Sequence, residues 1–294
     1  MYVADQRSED ASRAGLVKAQ AEAAEEQSKQ KIAMETLGIR FRDDAALSAD
    51  ERKAIGYFRC ATEDKDPGAM TALGICYMGG VGVTKDEQAA VEWHRRAAVL
   101  NEPSAMFSLG ACYGTGSGVT KDVGTAVEWY LKAANLGETR AMVNLGYGFH
   151  YGIEVTKDGK TAVEWYRKAA TLGNMRGMTY LGICYMDGIG VTKDEPSAVE
   201  WYRKAAGLNE TCAMTNLGAC YQRGLGVTKD EKMAVEWYRK AASLGDANGM
   251  DYLGTCYEDG VGVTKDEQTA EEWYRRAAAL GNEHAKSYLD RREK

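Results

Sequence analysis

The sequence predicts an all-α protein, an α-solenoid made by stacking one helical hairpin with a 36-residue repeat. Three observations carry this expectation. The six tryptophans, Trp93, Trp129, Trp165, Trp201, Trp237 and Trp273, are each 36 residues apart, and a fixed period of that size marks stacked supersecondary units. Within each unit, apolar residues recur at helical spacings of three and four in two runs joined by a glycine-rich turn. Helix start and stop residues then fall at constant places around the second run.

Composition narrows the function classes. The chain has 294 residues, 45% apolar and 27% charged, ample for a sizeable core. Its 37 basic and 43 acidic residues give a net charge of -6, the wrong sign for a phosphate-tracking surface, so nucleic acid is not an expected partner. No apolar run approaches the roughly 18 residues that a membrane span requires. The first twenty residues carry Asp5, Glu9 and Asp10 and no apolar core, which fits neither a secretory signal nor an acid-poor transit peptide. A cytoplasmic or other reducing intracellular compartment is expected.

Residues 8 to 31 are rich in Ala, Glu, Gln and Lys and favour helix, with Ser8 as cap and Glu9 and Asp10 in the first turn. Between Lys18 and Lys31 there is no large apolar side chain to bury. Residues 1–32 therefore form an arm that projects into solvent, caps the first repeat, or docks on a partner. Residues 33–68 read as a degenerate repeat. Ala33, Met34, Leu37, Gly38 and Phe41 each lie 36 before their counterparts, yet Asp44 and Ala46 replace the turn glycines and Tyr57 replaces Trp. Terminal units of solenoids are atypical in this way. Six clear repeats occupy 69–284, beginning at Ala69, Ala105, Ala141, Gly177, Ala213 and Gly249, and an unpaired helix closes the chain at 285–294.

Helix A of each unit carries Met at position 2, Leu at 5 and Tyr at 9, which share one face. Glycine at position 6 (Gly74, Gly110, Gly146, Gly182, Gly218, Gly254) costs ~1 kcal/mol of helix propensity, so its recurrence implies a neighbouring helix packed too closely for a side chain. Turn glycines such as Gly80 and Gly82 permit positive φ. Asp86, Asp122, Asp158, Asp194, Asp230 and Asp266 stand where helix B wants an N-cap. Helix B turns Ala, Val, Trp and an Ala-Ala pair inward. Its outward pairs, Glu92 with Arg96, Glu164 with Lys168 and Glu236 with Lys240, form a solvated face. It ends at Asn101, Gly137, Gly173, Asn209, Gly245 or Gly281, residues that tolerate a left-handed cap.

Five of the seven cysteines (Cys76, Cys112, Cys184, Cys220, Cys256) share one slot. Equivalent atoms of stacked helices lie on the order of 10 Å apart, beyond the ~7 Å a disulfide tolerates between Cα atoms. Free thiols acting as small core hydrophobes are expected. No second ligand type recurs beside them, so neither metal nor cofactor is expected.

The pattern A-M-x-x-L-G-x-C-Y-x-x-G-x-G-V-x-x-D-x-x-x-A-x-x-W-Y-x-x-A-A-x-x-G closely resembles the Sel-one-like repeat (SLR) family, relatives of the tetratricopeptide repeat, over residues 33 to 294. The resemblance implies a right-handed superhelical α-solenoid, helix A lining the concave side and helix B the convex side. It also implies an adaptor or scaffold that binds proteins or peptides, or a structural subunit of a larger assembly. A secreted, cysteine-rich branch of the family has two bridged cysteines per repeat and an association with penicillin binding. It supplies the alternative of a small-ligand or peptidoglycan-fragment binder with hydrolase-like activity. One cysteine per unit stands here where that branch has two. Further departures are Glu154 for the second turn glycine, Gly148 for Cys, Phe149 for Tyr, His94 for the Tyr after Trp, and Glu271 for Val.

Positions that vary among repeats are not dictated by packing. On helix A these are positions 3, 4, 7, 10 and 11, expected to form one outward face. Through the stack they give Phe107; Asn144, Tyr147, His150 and Tyr151; Tyr180 and Asp187; Asn216 and Arg223; and Asp251, Tyr252, Glu258 and Asp259. The expected surface is a partner-binding groove with an aromatic centre and an acidic C-terminal end, Tyr and Arg being common binding anchors. The competing reading has Tyr147 and Tyr180 packing between repeats. No enzyme is expected. The histidines His94, His150 and His284 occupy three different repeat positions, none with a nucleophile and carboxylate in motif spacing. His94 is read as replacing Tyr at a half-exposed site. The turn glycines lack the third glycine and preceding strand of a phosphate loop.

Overall fold

A computed structural model of the protein describes residues 49–292 apart from positions 64 and 154. The expected N-terminal arm, the first helix of the degenerate repeat and Glu154 lie outside the described residues. Among the described residues there are fourteen α-helices and no strand. They form two compact units, one ending at Trp129 and one beginning at Tyr130. The first contains α1 (Ala49–Thr62), α2 (Pro67–Gly79), α3 (Glu87–Val99), α4 (Pro103–Thr115) and the start of α5 (Val123–Asn135). The second contains the rest of α5, then α6 (Thr139–Tyr151), α7 (Gly159–Thr171), α8 (Met175–Asp187), α9 (Glu195–Gly207), α10 (Thr211–Arg223), α11 (Glu231–Ser243), α12 (Ala247–Asp259), α13 (Glu267–Ala279) and α14 (Glu283–Arg292). Even-numbered helices are the A helices of the repeat and odd-numbered ones the B helices.

Both helix types start on a side-chain cap. For helix B the caps are the expected aspartates: Asp86 accepts the N–H groups of Gln88 and Ala89, each at 3.0 Å. Where Thr or Ser stands three residues on, its hydroxyl donates to the second carboxylate oxygen, as Thr161 does to Asp158 at 2.6 Å. Helix A has its own caps, which the sequence disguises by varying them. Asp66, Asn174, Asp246 and Asn282 accept from the N–H three residues on, while the longer Glu102, Glu138 and Glu210 accept from the N–H two residues on. Helix B terminates at the expected left-handed residues, with φ from 61° at Asn101 to 91° at Gly281.

The core differs from expectation in one respect. It is the residue after Trp that is fully buried: Tyr166, Tyr238 and Tyr274 are 0% exposed, Tyr202 3% and His94 2%. His94 is thus a core residue, not a half-exposed one. The ring sits on the helix-A glycine. A Cβ on Gly218 would lie 2.5 Å from Tyr238 Cε1, and one on Gly74 would lie 2.5 Å from His94 Cε1. The recurrent glycine is therefore the floor on which the helix-B ring packs. Trp93 is buried at 3%, but the tryptophans of the second unit are half-buried, each flanked by the cation three residues on, such as Lys204 Nζ at 4.2 Å from the Trp201 ring centre. In the second unit the inward place expected of Trp is taken by the Tyr that follows it, as by Tyr202 beside the half-buried Trp201.

Neighbouring repeats within each unit are tied in two further ways. The second turn glycine lies so close to the preceding helix B that a Cβ on Gly118 would strike the Glu87 carbonyl, and Gly226 N–H donates to the Glu195 carboxylate at 3.2 Å. A guanidinium of helix B donates to the Tyr hydroxyl of the next helix A, Arg95 to Tyr113 (2.9 Å) in the first unit and Arg167 to Tyr185 (3.1 Å), Arg203 to Tyr221 (2.9 Å) and Arg239 to Tyr257 (3.3 Å) in the second. Leu131 and Phe149 replace both members of one such pair together. The five repeat cysteines are buried free thiols, and burial pushes Cys220 and Cys256 up to about 11.

Three outcomes follow. Gly218→Ala gains helix propensity but collides with Tyr238, and should destabilise by about 1–2 kcal/mol in urea unfolding. Gly207→Ala, which meets nothing within 4 Å, should instead stabilise by about 0.4–1 kcal/mol. The caps Asp122, Asp158, Asp194 and Asp266 are held below the ordinary 3.8, first by the Thr or Ser hydroxyl and then by backbone N–H groups. A depressed folded value means that their contribution is complete above the unfolded value, about 3.9, and is lost as pH falls through the lower folded one. Replacing all four by Asn, a neutral cap, should flatten the acid limb of the stability profile below about pH 4 and lower melting at pH 7 toward the wild-type value at low pH.

Candidate interaction surface

The helix-A face of the second unit is built from α6, α8, α10 and α12. The residue at position 3 is buried: Val143, Thr179, Thr215 and Asp251 are at most 9% exposed. Position 3 faces the next helix A, as the bonds from Thr215 to Asp246 (2.7 Å) and from His284 to Asp251 (2.8 Å) record. The outward face therefore comprises positions 4, 7 and 11, with position 10 beneath it.

Four predicted residues come together. Asn144, Tyr147, Tyr180 and Asn216 line one cavity of about 570 Å³, along with Arg176, Ile183 and Cys212. Its aromatic floor is continuous. Tyr180 stacks on the buried Tyr166 (centroids 5.0 Å, 12° between planes), meets Tyr147 edge-on (5.9 Å), and Tyr147 leans against Tyr151 (4.5 Å). Tyr147 and Tyr151 remain 39% and 50% exposed. Tyr180 thus serves both competing readings, packing between repeats with one face and presenting the other to the cavity.

His150 does not reach the surface. It is 4% exposed, stacks under Tyr151 (4.2 Å, 7°), and burial holds it below the ordinary imidazole value, with Lys157 adding and Asp187 opposing. Its Nδ1 and the Tyr166 hydroxyl are both buried without a hydrogen-bond partner. In the last two full repeats the position-10 residue satisfies the equivalent hydroxyl: Tyr238 donates to Gln222 at 2.9 Å and Tyr274 to Glu258 at 2.8 Å.

The acidic end is smaller than expected. Asp251 and Glu258 are used internally, by His284 and Tyr274, and leave the groove. Tyr252 stacks on Tyr238 (5.1 Å) with 37% exposure, and Asp187, Arg223 and Asp259 are exposed at the helix-A C-termini. Phe107 belongs to the first unit, where it lines a separate apolar cavity with Ile75 and His94.

Arg176, Glu210, Thr211 and Cys212 line the second-unit cavity but were not among the predicted residues. They lie just before position 1, on the first turns of α8 and α10. The signal was available, because the residue before position 1 varies as freely as positions 4 and 7: Gly68, Ser104, Arg140, Arg176, Cys212, Asn248, His284. The Cys212 thiol is pushed up, chiefly by burial and then by Glu210 and Asp246, with Arg176 opposing, so it is protonated at neutral pH. The cavity offers aromatic faces, amide and hydroxyl groups, and single charges of both signs. Such a surface suits the side chains of a polypeptide. Among the described residues no three His, Cys, Asp or Glu groups are placed to hold a metal ion, and no helix is long and apolar enough to cross a membrane.

The Sel1 repeat model matches residues 33–66, 67–101, 103–138, 139–174, 176–210, 213–246 and 247–282. No curated protein matches the chain. Among solved structures, the chain is similar to c5321, a protective antigen of uropathogenic Escherichia coli strains with an SLR fold, at 35% identity and TM-score 0.65 over 81% of this chain. The chain spans about half of that protein, 51% of its length. It is similar to a Sel1 repeat protein from Oxalobacter formigenes at 32% identity and TM-score 0.70, covering 78% of this chain and 97% of that one. A chain of the APC/C hetero-tetramer Cut9–Hcn1 shares the fold alone, at 16% identity and TM-score 0.56 over 82% of this chain and 46% of its own.

The two tyrosine roles separate by mutation. Tyr180→Ala removes a ring stacked on Tyr166 and should cost about 3 kcal/mol or more in urea unfolding. Tyr151→Ala, half exposed, should cost about 1 kcal/mol or less.

Proposed function

The chain belongs to the Sel1 repeat family, and we propose that it is a non-enzymatic scaffold or adaptor that binds a partner protein through the helix-A face of its second unit. Sel1 repeat proteins are generally protein-interaction scaffolds. The observation that supports this surface is the cavity on α6, α8 and α10, which the exposed Tyr147 lines beside a buried aromatic floor, with the exposed Tyr151 against Tyr147 at its edge. Aromatic side chains that bring large apolar area at little entropic cost are the usual anchors of protein interfaces. A polypeptide laid along this face would meet Arg176 and Asn216 beside the rings, which gives it polar groups to pair with. Permanent membership of a larger assembly is the stronger version of the same reading. The free thiols of Cys60 and Cys212 suit a reducing compartment.

The test is affinity capture with wild type and the Tyr147→Ala/Tyr151→Ala variant in parallel, each checked by thermal melting. Partners lost at unchanged melting temperature support the reading; partners retained by the variant place binding elsewhere. Native mass spectrometry of the endogenous protein then distinguishes a defined complex, expected of an assembly subunit, from a lone chain, expected of a transient adaptor.

A further inference from the structure

In the first unit, one core ring is shorter than the place built for it. Four of the five later repeats have a buried or nearly buried Tyr where this one has His94, namely Tyr166, Tyr202, Tyr238 and Tyr274. In those repeats the ring lies on the helix-A glycine, and in two of them the hydroxyl bonds the position-10 residue, Gln222 from Tyr238 and Glu258 from Tyr274. His94 lies on Gly74 in the same manner, but an imidazole ends short of where a phenol hydroxyl would be. The position-10 residue there is Met78. Beside the shorter ring lies a cavity of about 400 Å³ bounded by Ile75, Met78, His94, Phe107, Ala111 and Thr115, among others. That volume lies within the roughly 300–1,000 Å³ typical of ligand pockets, which are mostly apolar with a few placed polar groups.

His94 is 2% exposed, and its Nδ1 has no hydrogen-bond partner. A buried polar atom left unpaired costs free energy, so an imidazole that turns toward a ligand in the cavity it lines recovers it. Burial lowers His94 to about 4, so the ring is neutral at pH 7 and presents one donor and one acceptor. No charged side chain lines the cavity. Ile75 is 56% exposed at its edge, so an entering side chain meets apolar surface before it meets the imidazole.

We propose that this cavity is a recognition pocket for a single tyrosine side chain of a partner polypeptide, whose phenol enters between Ile75, Phe107 and Met78 and hydrogen-bonds the His94 imidazole. The ligand would supply from outside the hydroxyaromatic group that the neighbouring repeats carry themselves. The proposal rests on the reading of the chain as a polypeptide-binding scaffold, but on a site in the other unit, so the Tyr147→Ala/Tyr151→Ala experiment bears on it separately.

The test follows the Cε1–H signals of the three histidines by NMR in the full chain, with His94 assigned through His94→Tyr. N-acetyl-tyrosinamide should shift the His94 signal saturably. N-acetyl-phenylalaninamide should bind about tenfold more weakly for want of the hydroxyl. His94→Tyr, which places the repeat's own residue in the pocket, should lose binding of N-acetyl-tyrosinamide, followed by its own ligand resonances, and melt no lower than wild type. Absence of a saturable His94 shift, equal binding by both amides, or undiminished binding to His94→Tyr each overturns the proposal. Saturable binding of p-cresol without binding of N-acetyl-tyrosinamide also overturns it, in favour of a free phenol as ligand. Failure of the Tyr147→Ala/Tyr151→Ala capture experiment with a positive His94 titration would refute the second-unit surface alone.

Discussion

One contact recurs through the described repeats and sets their geometry: a buried ring of helix B lying flat on a glycine of helix A. Tyr166 on Gly146, Tyr202 on Gly182, Tyr238 on Gly218 and His94 on Gly74 are the same contact. No side chain other than hydrogen fits beneath the ring, which is why each unit accepts the propensity loss of a glycine in mid-helix. Once that ring is seated, Leu at position 5 and the Ala-Ala pair of helix B fall into the same layer, as the core cluster around Tyr238 and Tyr274 records. The caps and left-handed termini then only need to stop each helix at the right residue.

Much of this was legible because the repeat acts as its own control. Asp86 and its counterparts, the terminal Asn and Gly residues, and the close approach implied by Gly218 could each be read from spacing and residue type. Two things were not. The caps of helix A rotate among Asp, Glu and Asn, so no single letter holds the slot, although all of them accept a backbone N–H. The burial of Tyr202 over Trp201 depends on one step of 100° around a helix, finer than periodicity resolves when both neighbours are aromatic.

The interaction surface was legible in the same partial way. Variation among repeats correctly separates Leu217 from Asn216, but it cannot separate a residue that varies because it faces solvent from one that varies because its neighbour varies with it. Asp251 pairs with His284 while the corresponding Thr215 pairs with Asp246, and Glu258 exists to meet the Tyr274 hydroxyl. Leu131 and Phe149 are the apolar version of that joint change, standing where Arg and Tyr pair elsewhere. Variation at such sites is packing that is solved more than one way. The residues left over, Tyr147, Tyr151 and Asn144, are those that keep exposed area no neighbour covers.

The seated ring also gives the molecule an optical signature. Burial raises the phenols of Tyr166, Tyr202, Tyr238 and Tyr274 well above the ordinary value, so in alkaline solution each stays un-ionised for as long as its hairpin is closed. A phenolate absorbs further into the near ultraviolet than a phenol. The slow part of an alkaline absorbance rise would therefore count hairpins as they open, without any label attached.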